Sequence, residues 1–139
     1  MDFPSLVPGL KAQAAQKVDE TNTASSWVSG ALDVYATPAM VALMEYAAAA
    51  AVQDLLPDGF STVGTELCVK HLAASVPGGT VRAEAELTAA AGRRLEFEVA
   101  AFDEGGKIGE GTHSRFIVEN GPFLAKAAAR QQEKRTKKD

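Results

Sequence analysis

Residues 37–55 (TPAMVALMEYAAAAAVQDL) constrain the fold of this chain more than any other stretch. Ala, Leu and Met dominate the run, and all three are strong helix formers. Pro38 suits the first turn of a helix, and Thr37 before it is a good N-cap. Because a helix that is apolar nearly all round is usually buried, we predict a buried central helix.

One charged residue, Glu45, lies inside this predicted helix. The residues one turn away from it are Val41, Ala42, Ala48 and Ala49, and none of them can pair with a carboxylate. An unpaired buried carboxylate costs on the order of several kcal/mol. Glu45 is therefore predicted to be protonated, to have a partner elsewhere in the fold, or to take part in function.

The composition is that of one globular domain of 139 residues, with 46% hydrophobic and 23% charged residues. A single cysteine excludes an internal disulfide and fits a reducing compartment. The first ten residues lack the basic segment and apolar core of a signal peptide, and Glu45 argues against a membrane span at 37–55. We therefore expect a cytoplasmic protein that does not enter a membrane.

The net charge of −4 is unevenly distributed. Residues 121–139 contain six Lys and Arg against Glu133 and Asp139, so this segment carries +4 and residues 1–120 carry −8. An acidic body without interleaved aromatic and basic residues is a poor nucleic-acid binder. The expected organisation is one domain over 1–120 and a basic tail over 121–139, partly helical or frayed, that either is solvated or helps to hold an anionic ligand.

Residues 61–74 alternate as a β-strand does. The more apolar face contains Val63, Thr65, Leu67, Val69, His71 and Ala73, so we expect His71 to point into the core together with Glu45. A single core histidine is usually satisfied by a backbone carbonyl. A histidine next to a buried carboxylate is also a common acid–base unit, and both interpretations stay open.

Three further strands are predicted over 80–90, 94–103 and 107–118. The first two present alternating apolar residues to the core, and matching their faces requires an odd number of loop residues between them. In the third strand, Ile108, Phe116 and Val118 are expected to face in, with His113 and Arg115 facing out. Residues 10–19 fit either a helix or an edge strand, and Trp27 and Tyr35 either cover a pocket or pack at the helix entrance.

The predicted order is one strand, a buried helix and four strands arranged as a meander. A single apolar helix can cover an antiparallel sheet only if the sheet curls around it, so the expected fold is an α+β hotdog fold. A free edge of such a sheet can pair with a second copy of the chain.

Several short motifs of the chain occur together, at similar spacing, in one protein family. They are Ala36-Thr37, Met40-Val41, Leu43-Met44-Glu45, Gly64-Thr65, Cys68-Val69, His71, Pro77-Gly78, Glu86-Leu87, Gly92-Arg93-Arg94-Leu95, Gly109, Gly111-Thr112-His113 and Arg115. With these motifs the chain resembles the hotdog-fold thioesterases related to fluoroacetyl-CoA thioesterase. The resemblance covers most of the chain, from about Leu10 into the tail.

The resemblance implies a homodimer that binds acyl-CoA at the subunit interface and hydrolyses the thioester there. It implies catalytic roles for Thr37, Glu45 and His71, a place for Gly64 near the acyl group and for Arg115 at the ligand site, and neither a metal nor a cofactor beyond the CoA of the substrate. The chain departs from the fluoroacetyl-specific pattern at 27–30 and at Ala39, and Tyr35 replaces another aromatic residue of that pocket. We therefore expect Tyr35 to contact the substrate and the acyl group to be broader than, or different from, fluoroacetyl.

In the mechanism that these residues suggest, Glu45 attacks the thioester carbonyl or activates water, His71 orients the reactants and protonates the leaving thiolate, and Thr37 supplies a hydroxyl. On one helix Thr37 and Glu45 lie about 12 Å apart along the axis. Either the chain folds back near Thr37, or the helix starts later than Pro38, or the two residues come from different subunits.

Two other functions remain open from the sequence. A binding protein for acyl-CoA or another small molecule would keep the pocket and the dimer without hydrolysis. A hotdog hydratase or dehydratase would use a carboxylate or a histidine on a CoA-bound acyl chain without cleaving the thioester.

Overall fold

A computed structural model describes the backbone of residues 2–138 and the side chains of residues 2–133. It contains five strands and two helices: β1 (Lys11–Lys17), α1 (Thr37–Gln53), β2 (Phe60–His71), β3 (Thr80–Ala91), β4 (Arg94–Asp103), β5 (Gly106–Glu119) and α2 (Asn120–Lys138). The strands form one antiparallel sheet that curls around α1. The α+β hotdog fold is confirmed, and residues 10–19 provide the edge strand β1.

The strand order is β1-β3-β4-β5-β2, so the predicted meander is wrong. Strand β2 pairs with β5 at one edge, and β1 pairs with β3 at the other. Residues 72–79 carry the chain across the sheet instead of forming a hairpin. Their two ends are held by hydrogen bonds from Leu72 N–H to the Ile108 carbonyl and from Val18 N–H to the Gly79 carbonyl. Within the described part of the chain, strands β1 and β2 therefore each have one unpaired edge.

Helix α1 is buried on one face only. Met40, Met44, Ala47, Ala48 and Val52 pack against the sheet, mainly against β1 and β3. On the opposite face lie Ala42, Tyr46 and Ala50, and Tyr46 is 68% exposed. The expectation of burial all round is thus wrong for the isolated chain, because one sheet covers only one side of a helix.

Thr37 is the first residue of the helix, and the N-cap is Ala36, which makes no side-chain capping bond. The N-cap prediction for Thr37 is therefore wrong. The reason is that the Thr37 hydroxyl is hydrogen-bonded to a residue of β2 instead of the helix backbone.

The β3–β4 hairpin turns through two residues, Gly92 and Arg93, so the predicted odd loop is wrong. A bulge between Leu87 and Ala89 shifts the register by one residue, and Leu87 then pairs with Phe97. The bulge thus places the apolar residues of both strands on the same face of the sheet, as a loop with an odd number of residues would have done. The predicted inward faces are confirmed, since their side chains are buried: Val81, Ala83, Ala85, Leu87, Leu95, Phe97, Val99 and Ala101.

In β5, His113 and Arg115 face the core and Phe116 is exposed, so the predicted orientation of these residues is wrong. His113 pairs with Phe97 and Arg115 with Leu95, and both partners are inward-facing residues of β4. The glycines of β5 explain the difference. A side chain at Gly109 would lie 2.5 Å from Met40 Sδ, so this part of the strand carries no apolar bulk that marks its inner face.

Helix α2 leaves the sheet after β5 and is exposed along its described side chains. The tail that was predicted from residue 121 is thus helical, while the side chains of Lys134, Arg135, Lys137 and Lys138 lie outside the described residues. Among the described residues, no helix has the length and apolar character needed to cross a bilayer.

Replacing Gly111 by alanine is expected to destabilise the fold by about 2 kcal/mol or more, because the new Cβ would collide with the backbone of Cys68 and Val69. Gly121→Ala in helix α2 is the matched control. Nothing lies within 4 Å of its Cβ, and alanine is the better helix former. Urea unfolding of both variants measures the effect, and equal midpoints would contradict the close approach at Gly111.

Candidate active site

Thr37 and His71 meet where α1 begins and β2 ends. The Thr37 Oγ1 lies 2.7 Å from His71 Nδ1, a short hydrogen bond between two residues 34 positions apart. The other ring nitrogen of His71, Nε2, is buried and has no hydrogen-bond partner among the described residues. Burial lowers the pKa of His71, which favours the neutral imidazole, while an interaction with the Ala73 backbone opposes this shift. This arrangement leaves one ring nitrogen free for a reactant.

Glu45 is paired with Arg115. The Arg115 Nη1 lies 3.6 Å from Glu45 Oε2, and the Glu45 side chain is 41% exposed. The expectation that Glu45 is fully buried is therefore wrong, and within one chain Glu45 does not lie beside His71. The reason is distance along the helix, since His71 lies beside Thr37 at the first turn of α1 and Glu45 lies more than two turns further on.

The guanidinium of Arg115 is buried and held on several sides. Its Nε donates to Thr62 Oγ1 at 2.8 Å, and its Nη2 donates to the Thr62 carbonyl at 2.9 Å. Its Nη1 lies 3.1 Å from His113 Nε2. Burial lowers the pKa of Arg115, and the nearby Glu45 opposes that shift. Arg115 thus presents a fixed positive charge to Glu45.

Sequence reasoning missed Thr62 and His113 as members of this group. The signal that was available is the alternation of His113 and Arg115, which places both on one face of a strand. We assigned this face to the outside of the sheet, because the apolar residues of β5 suggested that the opposite face points inward. Thr62 carries no signal, since a threonine in a strand is unremarkable.

Gly64 lies against the Glu45 carboxylate. A Cβ at this position would be 2.7 Å from Glu45 Oε2 and 3.1 Å from the His113 ring, so only glycine leaves the carboxylate where it is. A bulge between Gly64 and Glu66 follows immediately. This bulge interrupts the predicted alternation, with the result that Thr65 is exposed and does not share the core face with Leu67.

Tyr35 is not brought to either group. Its side chain is 1% exposed, its hydroxyl donates to Gln16 Oε1 at 2.7 Å, and burial raises its pKa to about 12. The contact with substrate that was expected of Tyr35 does not fit this placement. The structure favours packing at the helix entrance, the other interpretation that the sequence left open.

Two groups of polar side chains therefore lie on one side of the sheet. One is Thr37 with His71, and the other is Glu45 with Arg115 and Gly64. Thr37 and Glu45 are eight positions apart on a continuous helix, which is about 12 Å along the axis. Within one chain the two groups remain apart.

Comparison with known proteins gives consistent matches. The family model described as "Fluoroacetyl-CoA-specific thioesterase" matches residues 18–121. A fluoroacetyl-CoA thioesterase from Streptantibioticus cattleyicolor is 45% identical over 94 residues, which is 68% of each chain.

Solved structures agree with these sequence matches. A crystal structure of a fluoroacetyl-CoA thioesterase has a TM-score of 0.84 at 35% identity, covering 89% of this chain and 96% of the other. A thioesterase superfamily member from Thermus thermophilus has a TM-score of 0.80 at 27% identity, covering 96% and 97%. The chain is thus a thioester hydrolase of hotdog fold that belongs to the fluoroacetyl-CoA-specific thioesterase family.

Proposed function

We propose that this protein hydrolyses the thioester of a small acyl-CoA to the free acid and CoA, at a site that combines Thr37, Glu45 and His71 in a cytoplasmic homodimer. The observation that carries the proposal is the buried, unpartnered Nε2 of His71, whose Nδ1 is held by Thr37. A buried polar atom without a partner is costly unless a ligand supplies one. The carbonyl oxygen or the sulfur of a bound thioester supplies such a partner.

The proposed chemistry divides between the two groups of side chains. Glu45 takes a proton from water, whose oxygen bonds to the thioester carbon, or its carboxylate attacks that carbon directly and water then hydrolyses the mixed anhydride that forms. The carbon–sulfur bond breaks, and the departing thiolate of CoA accepts a hydrogen bond from His71 Nε2–H and takes the proton that the attacking water released. Thr37 fixes the imidazole so that Nε2 faces the reacting atoms, and Arg115 fixes the carboxylate of Glu45.

The helix geometry favours a site shared between two copies of the chain. Helix α1 begins at Thr37 and is continuous to Gln53. This excludes a late helix start and a fold-back near Thr37, two of the three ways to bring Thr37 close to Glu45. We therefore infer the third way, in which the two residues come from different subunits.

The free edge of β2 supports the same assembly. Gly64 and His71 both lie on this strand, whose second edge has no partner in the described chain. Antiparallel pairing of two β2 edges about a point between these residues would place Gly64 of one copy opposite His71 of the other. The exposed face of α1 with Tyr46 would meet its counterpart on the same side.

Two observations bear on the identity of the acyl group: a ligand complex of a relative, and the positions at which this sequence differs from the specialised enzyme. A solved mutant of a fluoroacetyl-CoA-specific thioesterase was obtained in complex with fluoroacetate and CoA. This supports a CoA thioester with a short acyl group for the present chain. Because Ala39 and residues 27–30 depart from the pocket of the specialised enzyme, we propose a short acyl group that is not restricted to fluoroacetyl.

Glu45→Gln and His71→Gln are each expected to lower kcat by about 100-fold or more on the best substrate, which is the usual contribution of a general acid or base. Release of CoA from a panel of acyl-CoAs, followed with a thiol reagent, measures the rate. Glu84→Gln, on the outer face of β3, is the matched control. Binding without turnover across the panel would favour the non-catalytic alternative, and product with an intact thioester would favour a hydratase or dehydratase.

Mixing the two inactive variants tests the shared site. In a heterodimer of Glu45→Gln and His71→Gln, one of the two sites would contain both wild-type residues and the other neither. Random reassociation after unfolding is therefore expected to restore about one quarter of the wild-type activity. No recovery would show that both residues act within one chain, and a monomer mass by light scattering at micromolar concentration would contradict the dimer.

A further inference from the structure

His113 has no part in the chemistry proposed above, yet it is one of the most buried polar residues, with 2% of its surface exposed. It lies on β5, two residues before Arg115 on the same face of the strand. Both of its ring nitrogens are used. Nδ1 lies 2.8 Å from the Glu66 carbonyl oxygen, and Nε2 lies 3.1 Å from Arg115 Nη1.

These two contacts determine the state of the imidazole. A carbonyl oxygen only accepts hydrogen bonds, so Nδ1 carries the hydrogen and donates it to Glu66. A guanidinium only donates, so Nε2 carries no hydrogen and accepts from Arg115 Nη1. The side chain is therefore the neutral Nδ1–H tautomer, and a second proton on Nε2 would face the donor of Arg115.

The same Nη1 atom of Arg115 faces Glu45, so His113 contacts the edge of the guanidinium that pairs with the carboxylate. Thr62 holds Nε and Nη2 from the other side. A neutral acceptor is suited to this place. A carboxylate there would compete with Glu45 for the positive charge, and a cation would repel the guanidinium.

The β2 bulge provides the other half of the contact. It lies between Gly64 and Glu66, where the register of β2 against β5 shifts by one residue. Gly64 before the bulge lies against Glu45, and the Glu66 carbonyl after it accepts from His113. The bulge in β2 thus leaves room for the carboxylate of Glu45 on one side and places a hydrogen-bond acceptor beside His113, which contacts Arg115, on the other.

We propose that His113, as a neutral imidazole between the Glu66 carbonyl and Arg115, is a positioning residue that sets the Arg115 guanidinium against Glu45. This inference rests on the proposed thioester hydrolysis, in which Glu45 acts on the reactants. Thr62 is its counterpart on the opposite side of the guanidinium.

The protonation of His113 is expected to be visible in stability. Burial lowers its pKa below the ordinary 6.5, and Arg115 on its own strand lowers it further. The Glu66 carbonyl of β2, Glu45 of α1 and Glu96 of β4 act in the opposite direction. Between the lowered pKa and 6.5 the unfolded chain binds more protons, so the free energy of unfolding falls as the pH drops below 6.5.

Denaturant unfolding at pH 7.5, 6.5 and 5.5 measures this dependence. His113→Gln is expected to reduce it, while the contribution of His71, whose pKa is also lowered, remains in both proteins. An unchanged pH dependence in the variant would contradict a neutral, buried His113.

Nitrogen-15 NMR tests the tautomer without any assay of activity. The chain has only two histidines, so the spectrum of His71→Gln contains a single imidazole. We expect a neutral Nδ1–H ring with an unprotonated Nε2 at pH 7. An Nε2–H tautomer or an imidazolium at this pH would overturn the inference.

Kinetics test the positioning role. His113→Asn keeps a donor for Glu66 but removes the acceptor for Arg115, and we expect kcat to fall about 10- to 100-fold with little change in KM, the size of one charge-assisted hydrogen bond. His113→Gln, whose amide oxygen can accept from Nη1, should recover most of the rate. Thr62→Val should resemble His113→Asn.

Ser114→Ala is the matched control, because Ser114 is also buried on β5 but bonds to Glu96 on the other face. A kcat within twofold of wild type for His113→Asn and Thr62→Val, or a His113→Gln variant no faster than His113→Asn, would overturn the positioning role. A wild-type protein that releases no CoA would instead overturn the proposed function, and the NMR result would still decide the state of His113.

Discussion

The buried guanidinium of Arg115 is the constraint on which the rest of the site depends. A charge in this position is tolerated only when hydrogen bonds and an opposite charge replace the water that it has lost. Thr62 from β2, His113 from its own strand and Glu45 from the helix together provide that replacement. Because these residues come from three elements, the packing of α1 on the sheet also determines how the charged side chains are arranged.

The irregular features of the sheet serve this arrangement. Glycines in β5 let the helix and β2 come close, and the bulge after Gly64 re-aims the chain so that a small residue faces the carboxylate and a carbonyl faces the histidine. Bulges are often found next to active sites for this reason. The second bulge, in β3, has a different effect. It shifts the register of the β3–β4 hairpin by one residue, so that the apolar residues of both strands lie on the same face despite the two-residue turn.

The strands, the central helix and the fold class could be predicted from the sequence because periodicity and helix propensity act locally. The apolar alternation of β3 and β4 and the long helical run around Glu45 were both strong signals. Strand order was not accessible, because the choice between β2–β3 and β2–β5 pairing depends on how residues 72–79 cross the sheet. The partner of Glu45 was missed for a related reason: in β5, glycines replace the apolar residues that normally mark the inner face, so Arg115 was expected to point outward.

The residues proposed for the site were predicted by resemblance more than by pattern. Periodicity alone led to a Glu45–His71 pair, whereas the structure places each of them with a different partner. The helix itself explains why. A pattern along a helix gives the face on which a residue lies, but it does not show which end of the sheet lies opposite that residue.

Helix α1 also fixes the relative position of two residues of the candidate site. Its rise of about 1.5 Å and its turn of about 100° per residue fix both the distance and the angle between Thr37 and Glu45. Deleting a single residue between them would swing Glu45 away from the guanidinium while leaving Thr37 beside His71. An insertion or deletion between Thr37 and Glu45 would therefore change this geometry. A substitution at Ala39, or a change in the loop that precedes the helix, leaves the distance and the angle between the two residues intact.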